Sequence, residues 1–368
     1  MKILQLGKFY PIRGGVEKVM YDLTIGLSER GIDCDMLCAM SEGKSHILPL
    51  TPHGRLIGQH TWIKAYATTI APSMITQLRR TAKAYDIIHV HHPDPMAALS
   101  LFLSGYKGKV VLHWHSDIEK QKWLLKLYRP LQQWLVRRAD AIIGTTPVYT
   151  AESPYLTQVQ QKIHCLPIGI EPVHPTPEAV EKIRSRYPGK KIIFSLGRLV
   201  AYKGFRYLVE AGRYLNDEYI ILIGGSGALK EELTSLIAQW GLQEKVHLLG
   251  RISDEDLPGY FGACHLFCMS SVQKTEAFGI VQLEAMSCSK PVVATTIPHS
   301  GVSWVNAHEI SGLNVPPCDA KALAKAFTTI LEDKELYAKL SKGAFNRYKT
   351  LFTKDKNMKS LLDIYQKL

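Results

Sequence analysis

The sequence has no long hydrophobic run, and its cysteines do not suggest a disulfide framework. The longest apolar stretches, such as Ile192-Ile193-Phe194 and Ile220-Ile221-Leu222-Ile223, have the length of a strand, whereas a membrane-spanning helix needs about 18 apolar residues. The residues after Met1 read as a strand and not as the long apolar region of a secretory signal. Seven cysteines, an odd number without framework spacing, are typical of free thiols. We therefore expect a protein of the reducing cytoplasm.

Two cysteine pairs have a four-residue spacing that could suggest metal ligands. Cys34 and Cys38, like Cys264 and Cys268, lie in apolar stretches that resemble strands. Free cysteine in such surroundings is usually a buried thiol. We expect all four to be buried and not to bind a metal.

The net charge of +12 is partly concentrated between residues 107 and 138, where eight Lys/Arg stand against two acidic residues. Apolar residues recur there at helical spacing: Leu124, Leu127, Tyr128, Leu131, Trp134 and Leu135. Lys122, Lys126 and Arg129 follow another face, and Pro130 should kink or divide the helix. The helix is either an ordinary solvated one with its apolar side on the core, or a basic amphipathic face for an anionic membrane or a lipid-diphosphate acceptor. Nucleic acid is not an expected partner, because no recognisable binding module accompanies these residues.

Short apolar runs alternate with helical patterns, which predicts βαβ units and parallel sheets. The candidate strands are 2–7, 34–40, 86–91, 109–114, 141–146 and 163–167 in the first half, and 191–197, 219–224, 246–250, 266–270 and 291–296 in the second. Two sets of five or six strands predict an α/β protein with two doubly wound, Rossmann-like domains. Three prolines between 172 and 177 exclude regular structure, which places the domains at 1–171 and 172–352.

Two glycine-rich turns each follow a strand and precede a helix. Gly14-Gly15-Val16-Glu17 opens a helix whose N-terminal N–H groups could receive an anion, although a glycine pair alone is more often a turn. Gly224-Gly225-Ser226-Gly227 precedes a helix predicted from Leu229 to Gly241. It matches neither a P-loop nor the dinucleotide fingerprint. Close approach of its backbone to a nucleotide is one interpretation, and a plain turn is the other.

Histidines gather at the ends of two predicted strands. His89 and His91 share one face of a strand, as do His113 and His115, and ligands of open α/β sheets bind at the carboxyl ends of strands. Three interpretations remain open: core or supporting histidines, hydrogen bonding to a substrate, or a metal site. Asp94 and Asp117 follow the two histidine pairs and keep the metal interpretation open, but no helical His-x-x-x-His or Cys/His ligand set supports it.

Charged residues follow two strands of the second half. Arg198 and Lys203 lie on the loop after strand 191–197, where two cations five residues apart can close on one diphosphate. Glu276 and Glu284 are eight apart, a little over two helical turns. If a helix begins near Phe278, Glu276 precedes it and the N–H groups of residues 278–280 point at an anion. One carboxylate could then bind sugar hydroxyls and the other a ribose diol, although two glutamates on a helix are more often plain surface residues.

These motifs together resemble glycosyltransferase family 4, the retaining enzymes with the two-domain GT-B fold. The resemblance covers nearly the whole chain and is carried by Gly14-Gly15-Val16-Glu17, His113-Trp114-His115-Ser116, Pro167-Ile168-Gly169-Ile170, the Arg198/Lys203 pair, and Glu276 to Glu284 continuing through Ala285 to Ala294. It implies two Rossmann-like domains facing a cleft, with a terminal helix, 353–368, that crosses back onto the N-terminal, acceptor-side domain.

The resemblance also assigns roles to residues. Arg198 and Lys203 would be catalytic groups that stabilise the departing diphosphate, Glu276 would hold donor-sugar hydroxyls, and His115 would contact the sugar near the reacting carbon. The donor-binding set would add Gly15, Gly197, Gly225, Arg251, Ile252, Ala277, Phe278, Gly279, Ile280 and Glu284, with Glu284 on the ribose. Glu17, Asp94 and Asp117 would lie on the acceptor side. Neither a metal nor another cofactor is expected.

Two departures from the family pattern leave the donor open. Ser289 stands where a glycine is usual, and Pro298-His299-Ser300-Gly301-Val302 replaces a glycine-pair-and-acid loop. The stretch 300–306 is similar to bacterial surface-polysaccharide transferases, including mannosyltransferases. The expected function is transfer of a hexose, from GDP-mannose or otherwise a UDP-hexose, to a lipid-linked or polysaccharide acceptor at the inner face of the membrane. The alternatives are a nucleotide-sugar 2-epimerase or a phosphorylase-like enzyme on the same fold, and a non-catalytic membrane-surface protein.

Overall fold

The computed structural model describes residues 1–12, 14–65, 68–118 and 122–368, with the side chains at 64, 65, 68 and 122–124 excepted. The chain divides into two compact units. The first comprises Met1–Ile168 together with Lys354–Leu368, and the second comprises Gly169–Thr353. The division lies close to the position that the prolines between 172 and 177 indicate.

The first unit is built on one large sheet. In its described residues the strands are β1 (Lys2–Tyr10), β2 (Asp33–Met40), β3 (His46–Thr51), β4 (Gly54–His60), β5 (Ile63–Ala65), β6 (Thr68–Ile70), β7 (Ile87–His92), β8 (Lys109–Trp114), β9 (Ala141–Gly144) and β10 (Ile163–Cys165). The helices between them are α1 (Gly15–Ser28), α2 (Ser73–Thr81), α3 (Pro95–Ser104), α4 (Lys122–Arg138) and α5 (Pro147–Ala151). The sheet order is β10-β9-β8-β7-β1-β2-β4-β3, and β5 pairs with β6 separately.

The edge of this sheet differs from the prediction. Strands β1, β2, β7, β8, β9 and β10 lie where strands were predicted and pair in parallel. However, β3 and β4 were missed, and they pair antiparallel to each other. β3 contains Pro49 and is mostly exposed, while β4 begins at Gly54 and contains Gly58. Neither therefore has the continuous apolar run that identifies a buried parallel strand.

Helix α1 begins where the glycine pair predicts. Gly14 is the N-cap and Gly15 the first helical residue, and Val19, Leu23 and Leu27 form a buried apolar stripe. The stripe packs the helix against the sheet. The end of the helix that could receive an anion is thus fixed at the carboxyl end of β1.

Helix α4 differs from its prediction in two ways. It continues through Pro130, so the proline does not divide it. Tyr128 and Leu135 are buried as predicted, but Leu127 is 73% exposed and does not join the core. An apolar side on the core is thus found for Tyr128 and Leu135 but not for Leu127. Glu119 and Lys120 of the basic stretch lie outside the described residues, as do the side chains at 122 and 124.

The second unit is a parallel sheet covered by helices. In this unit the strands are β11 (Lys191–Leu196), β12 (Tyr219–Gly224), β13 (Val246–Gly250), β14 (Leu266–Met269), β15 (Val292–Thr295) and β16 (Gly312–Val315). The helices are α6 (Pro177–Arg184), α7 (Phe205–Ala211), α8 (Lys230–Gln239), α9 (Leu257–Ala263), α10 (Val281–Ser287), α11 (Val302–Val305), α12 (Ala320–Glu332) and α13 (Lys334–Leu351). The sheet order is β13-β12-β11-β14-β15-β16.

Five of these six strands were predicted, and β16 was not. Its sequence, Gly312-Leu313-Asn314-Val315, has two residues that are poor in strands. β16 forms by pairing with β15. The two strands approach so closely that a Cβ on Gly312 would lie 1.7 Å from the carbonyl oxygen of Val292 in β15. The central strands β11 and β12 are rich in isoleucine and buried, as the prediction of a doubly wound sheet requires.

The last helix, α14 (Lys354–Gln366), belongs to the core of the first unit. Met358, Leu361 and Tyr365 are buried in one cluster with Val19 and Leu23 of α1. α14 therefore completes a core whose other members come from the first 170 residues of the chain.

Two further expectations concern the burial of the cysteines and the lack of a membrane-spanning helix. Cys34, Cys38, Cys264 and Cys268 are free and buried, as predicted. Among the described residues, every helix is too short or too polar to cross a bilayer.

We predict that Leu361→Ala destabilises the first unit. Leu361 is fully buried, and replacing a buried leucine by alanine typically costs about 2–5 kcal/mol of unfolding free energy. Denaturant unfolding should show the loss, while Lys359→Ala, on the exposed face of the same helix, serves as control. Equal stability of the two variants would contradict the packing of α14.

Candidate active site

Four loops of the second unit that were predicted to carry chemistry leave adjacent strands at the same edge of the sheet. Arg198 and Lys203 follow β11, Gly225 follows β12, Arg251 follows β13, and Glu276 lies on the segment after β14. Because these strands are parallel neighbours in the order β13-β12-β11-β14, the loops meet at their carboxyl ends. Ligands of open α/β sheets bind at such an edge.

The structure brings Lys203 and Glu276 into direct contact. Lys203 Nζ lies 2.5 Å from Glu276 Oε2, and each side chain is 12% exposed. The hydroxyl of Ser271 donates to the same carboxylate oxygen at 3.1 Å. Since the ammonium group has three donors and the carboxylate two oxygens, each member keeps hydrogen-bonding capacity for a ligand.

The loop that carries Lys203 is fastened to the segment that carries Glu276. Val272 N–H donates to the Tyr202 carbonyl at 2.8 Å, and the Ser270 hydroxyl donates to the Lys203 carbonyl at 3.0 Å. Gly204 has a φ of +66°, and a Cβ there would lie 2.1 Å from the carbonyl oxygen of Ser270. A glycine is therefore required for the two segments to approach this closely.

Arg198 lies on the same loop and is exposed. Its Nη2 donates to the Tyr202 hydroxyl at 3.2 Å. In the described part of the chain it has no carboxylate partner. Its guanidinium group is therefore free to pair with an anionic ligand.

The second glycine-rich turn packs against the Arg198 loop. Gly225 has a φ of +130°, and a Cβ there would lie 1.9 Å from the carbonyl oxygen of Gly197, while a Cβ on Gly227 would lie 2.5 Å from that of Leu199. The two loops also share hydrogen bonds from Leu199 N–H to Ser226 and from Leu229 N–H to Leu199. The glycines thus allow loop-to-loop packing, a role that the sequence pattern did not indicate.

Arg251 and Ile252 extend this edge beyond β13. Gly250, which precedes them, has a φ of +70°, and its carbonyl accepts from Gly225 N–H at 2.7 Å. Arg251 is exposed, and the Ile252 side chain packs over Gly224. Ile252 thereby offers an apolar surface at the end of the strands.

The segment after Glu276 is a turn, and the helix begins later than predicted. α10 starts at Val281 and not near Phe278, because Gly279 adopts a φ of +77° and interrupts the helical path. Within the described residues, the N–H groups of Phe278, Gly279 and Ile280 donate no hydrogen bond.

Neighbouring groups hold this turn in place. The Ala277 carbonyl accepts from Gly301 N–H at 3.0 Å, and the Ser300 hydroxyl donates to the Glu276 carbonyl at 2.5 Å. The turn, and not a helix end, therefore presents the amides.

Glu284 lies on α10, and its carboxyl group is mostly buried. Burial, followed by the charge of Asp254, raises the pKa of Glu284 to about 7. Within the described chain its carboxylate has no cation or hydrogen-bond donor. An enclosed carboxylate without a partner is well suited to accept hydrogen bonds from a ligand.

In the first unit, Gly14 and Gly15 place Glu17 at the start of α1. Glu17 is 7% exposed, and a Cβ on Gly14 would lie 2.6 Å from its Oε2. The Glu17 side chain therefore folds back over the helix start beside Gly14. Gly15 is exposed at the first helical position, where a ligand could reach the backbone.

His115 follows β8 and joins a buried cluster of histidines. The two predicted same-face pairs are confirmed: His89 stacks on His91 with ring centroids 4.8 Å apart, and His113 stacks on His115 at 4.0 Å. His92, by contrast, stacks on Trp114 at 3.8 Å. Burial, together with neighbouring positive groups, lowers the pKa of His115 well below its ordinary value, so the ring is neutral at physiological pH.

Three members of the cluster could also be considered as metal ligands. Nitrogens of His91, His113 and His115 all lie within 4.8 Å of one another. The absence of a metal thus stays a prediction.

Asp94 and Asp117 are held by hydrogen bonds inside the first unit. Asp94 caps α3, and its carboxylate accepts from the N–H groups of Met96, Ala97 and Lys8. Asp117 accepts from Trp114 Nε1–H at 2.9 Å and from the Ser153 hydroxyl at 2.8 Å. Both carboxylates stabilise the loops on which they lie, so an acceptor-side role would have to use their remaining lone pairs.

Several polar residues that support the charged ones had no signal in the sequence. Tyr202 contacts Arg198, Ser271 contacts Glu276, and Gln5 contacts His91. The Gln5 contact joins two different strands, and the other two lie within irregular loops, where sequence spacing does not predict which side chains meet. Ser289, which departs from the family pattern, has a φ of +58°, the conformation for which glycine is favoured.

The family models match both halves of the chain. The model described as Glycosyltransferase Family 4 matches residues 13–173, and the model described as Glycosyl transferases group 1 matches residues 178–347. D-rhamnosyltransferase WbpZ of Pseudomonas aeruginosa is 31% identical over 96% of this chain and 92% of its own. O-antigen chain mannosyltransferase C of Escherichia coli is 29% identical over 100% and 99%.

Solved structures show the same fold. Anabaena HepE, in complex with UDP, superposes with a TM-score of 0.80 at 20% identity and covers 100% of both chains. Sucrose-phosphate synthase from Thermosynechococcus elongatus has a TM-score of 0.80 at 22% identity and covers 100% of this chain and 99% of its own. The chain is therefore a glycosyltransferase of family 4, with the two Rossmann-like units of the GT-B fold.

Proposed function

We propose that this enzyme transfers a hexose, with retention of anomeric configuration, from a nucleotide sugar to a lipid-linked or polysaccharide acceptor of a cell-surface glycan. The observation that carries the proposal is the contact of Lys203 with Glu276 beside Arg198, which has no carboxylate partner among the described residues. Cations at this position can stabilise the charge that develops on a departing diphosphate. The remaining oxygen of Glu276 can accept hydrogen bonds from sugar hydroxyls.

Mannose from GDP-mannose is the first candidate for the donor. The support is the likeness over the whole chain to the mannosyltransferase named above and to D-rhamnosyltransferase WbpZ. Shorter matches include a putative colanic acid biosynthesis glycosyltransferase and a lipopolysaccharide core biosynthesis glycosyltransferase. UDP-hexoses are the second candidate, supported by the UDP and UDP-glucose complexes of HepE.

The remaining site residues take roles that complete this proposal. The N–H groups of Phe278 to Ile280 bind the donor beside Glu276, and Ile252 with Arg251 borders the base. Glu284 accepts hydrogen bonds from the ribose hydroxyls. That Gly15 and His115 of the first unit also contact the donor stays a prediction. Arg198 and Lys203 supply positive charge at the diphosphate, so the proposed reaction needs no metal or other cofactor.

We predict that Arg198→Ala and Lys203→Ala each lower turnover about a hundredfold or more, as loss of one preorganised donor does. The assay measures nucleotide release from GDP-mannose and from UDP-glucose, with an acceptor extract and with EDTA present. Arg206→Ala, an exposed arginine on the neighbouring helix α7, is the matched control.

Near-normal rates in both alanine variants would contradict the role of the two cations. Conversion of the sugar nucleotide to its 2-epimer without acceptor would instead favour an epimerase.

We predict that donor binding strengthens as the pH rises through about 7. The pKa of Glu284 is raised to about 7 in the free protein, and hydrogen bonds from ribose hydroxyls favour its ionised form. Binding therefore releases a proton. Calorimetry with GDP-mannose at several pH values measures this dependence, which Glu284→Gln should abolish and Glu335→Gln, an exposed substitution, should keep.

The same carboxyl group sets the sign of a stability effect. Between the ordinary glutamate pKa of 4.5 and the raised pKa of about 7, Glu284 holds its proton in the folded chain but loses it in the unfolded chain. The free energy of unfolding should fall as the pH rises through this interval.

A pH-independent donor affinity of the wild type would contradict the assignment of Glu284 to the ribose.

We further propose that α4 contacts the anionic inner face of the cytoplasmic membrane, where a lipid-linked acceptor would be met. Lys126 and Arg129 are exposed, and neither has an acidic partner in the described chain. Leu127 between them is 73% exposed, and Phe102 of α3, which packs on Trp134 of α4, is 49% exposed. Cations next to exposed apolar groups are typical of interfacial helices.

We predict that Lys126→Glu combined with Arg129→Glu abolishes binding to vesicles that contain anionic lipid. Each basic residue near such a surface contributes about 1 kcal/mol, so reversing two charges should suffice in a sedimentation assay. Lys339→Glu with Lys342→Glu, an exposed pair of the same spacing on α13, is the control. Equal sedimentation of both double variants would refute the contact.

A further inference from the structure

A chain of hydrogen bonds connects α14 to His115 through the interior of the first unit. The Tyr365 hydroxyl lies 2.5 Å from His89 Nδ1 and 3.3 Å from Gln5 Nε2. Gln5 Oε1 lies 2.8 Å from His91 Nε2, and His91 Nδ1 lies 2.9 Å from His115 Nε2. The chain thus leads from Tyr365 on the last helix to a residue at the carboxyl end of β8.

This hydrogen-bond chain is closed to solvent along most of its length. Gln5, His89 and His91 are fully buried, Tyr365 is 3% exposed, and His115 is 6% exposed. Burial lowers the pKa of His91 and His115 well below the ordinary value. Each ring is therefore neutral, with one nitrogen that donates and one that accepts.

The open end of the chain is His115 Nδ1. Both nitrogens of His91 are hydrogen-bonded, and both nitrogens of His113 are enclosed without a partner. In the described part of the molecule His115 Nδ1 has no partner either, yet it is not among the enclosed atoms. It is the nitrogen through which this group of rings can meet a ligand.

The orientation of the Gln5 side-chain amide sets which groups donate and which accept along this hydrogen-bond chain. Its amide nitrogen faces the Tyr365 hydroxyl and Cys34 Sγ, and its oxygen faces His91. Since an amide oxygen can only accept, His91 Nε2 must carry the proton. His91 Nδ1 then accepts from His115 Nε2–H, because the proton on one ring nitrogen is fixed by the hydrogen bond of the other.

We propose that Gln5, His91 and Tyr365 are positioning residues that hold His115 in the tautomer with the proton on Nε2. His115 Nδ1 is then a hydrogen-bond acceptor at the carboxyl edge of the first sheet. The ligand chemistry it fits is a hydroxyl donor. Resting on the proposed function, the predicted contact of His115 with a donor-sugar hydroxyl would then use Nδ1 as the acceptor.

A metal would require a different arrangement of the same rings. Zinc holds imidazole nitrogens about 2 Å away, with lone pairs that converge on the ion. Here His113 and His115 are stacked at 15°, and His91 and His115 are hydrogen-bonded to each other. Parallel rings direct their lone pairs side by side, so the hydrogen-bonded arrangement is the one that the geometry favours.

The first test is nitrogen NMR of the wild-type protein labelled at histidine, with His115→Asn used to assign the signals. We expect His115 Nε2 to be protonated and Nδ1 to be unprotonated, in the absence of any substrate. The opposite tautomer, or an even mixture of the two, would overturn the proposal. So would stoichiometric zinc in the purified protein, measured by mass spectrometry.

The second test removes the Tyr365 hydroxyl, which is the end of the hydrogen-bond chain opposite His115. In Tyr365→Phe the Gln5 amide nitrogen loses its hydroxyl partner and keeps only the weak contact with Cys34 Sγ. The amide can then turn over, so both tautomers of His115 should appear in the spectrum. Turnover of GDP-mannose should fall about tenfold in kcat/KM, the effect of about one hydrogen bond. Tyr128→Phe is the matched control, because its buried hydroxyl has no partner in the described chain.

The readouts separate this inference from the proposed function. If the wild type uses none of the sugar nucleotides, the function fails, while the tautomer is still decided by the spectrum. If Tyr365→Phe changes the tautomer but keeps the activity of Tyr128→Phe, the positioning role is wrong. Gln5→Met provides a second variant, with the same expected spectrum, should Tyr365→Phe not fold.

Discussion

Contact between Lys203 and Glu276 is the interaction on which the candidate site depends. It joins the segments that follow two neighbouring strands, β11 and β14, at the edge where both end. Each charge would be costly in a mostly enclosed position without the other, because a buried charge needs a partner. The pair therefore keeps a cation and a carboxylate available in one place while leaving Arg198 as a further, unneutralised positive group.

Backbone packing makes this contact possible. Gly204 lies directly against the carbonyl of Ser270, and Gly225 lies against that of Gly197. Side chains at either position would force the neighbouring loops apart. The glycines at these strand ends are thus explained by the close packing of one loop on another.

The sequence predicted the elements that have strong local signals and missed those formed by pairing. Buried strands such as β12 and the glycine-led start of α1 have patterns that can be read directly. β16 and the β3–β4 hairpin could not be found, since none of these strands has a continuous apolar run and pairing with neighbouring strands holds them in place.

The same distinction holds for the candidate site. Arg198, Lys203 and Glu276 were identified from spacing, and the contact of the last two was not. The start of α10 was placed too early because a positive φ at Gly279 gives no periodic signal. Gln5 acts across strands, and Tyr202 and Ser271 act within irregular loops that have no periodic signal.

The position of α14 has a consequence for the order in which the molecule is built. Residues 354–368 belong to the first unit, but the ribosome makes them after the entire second unit. Until then, the apolar groups of α1 that pack on Leu361 lack their cover, and His89 lacks the Tyr365 hydroxyl. Folding of the first unit during synthesis must therefore remain unfinished while the second unit can already complete its own core, and the histidine that ends the buried hydrogen-bond chain acquires its fixed orientation last.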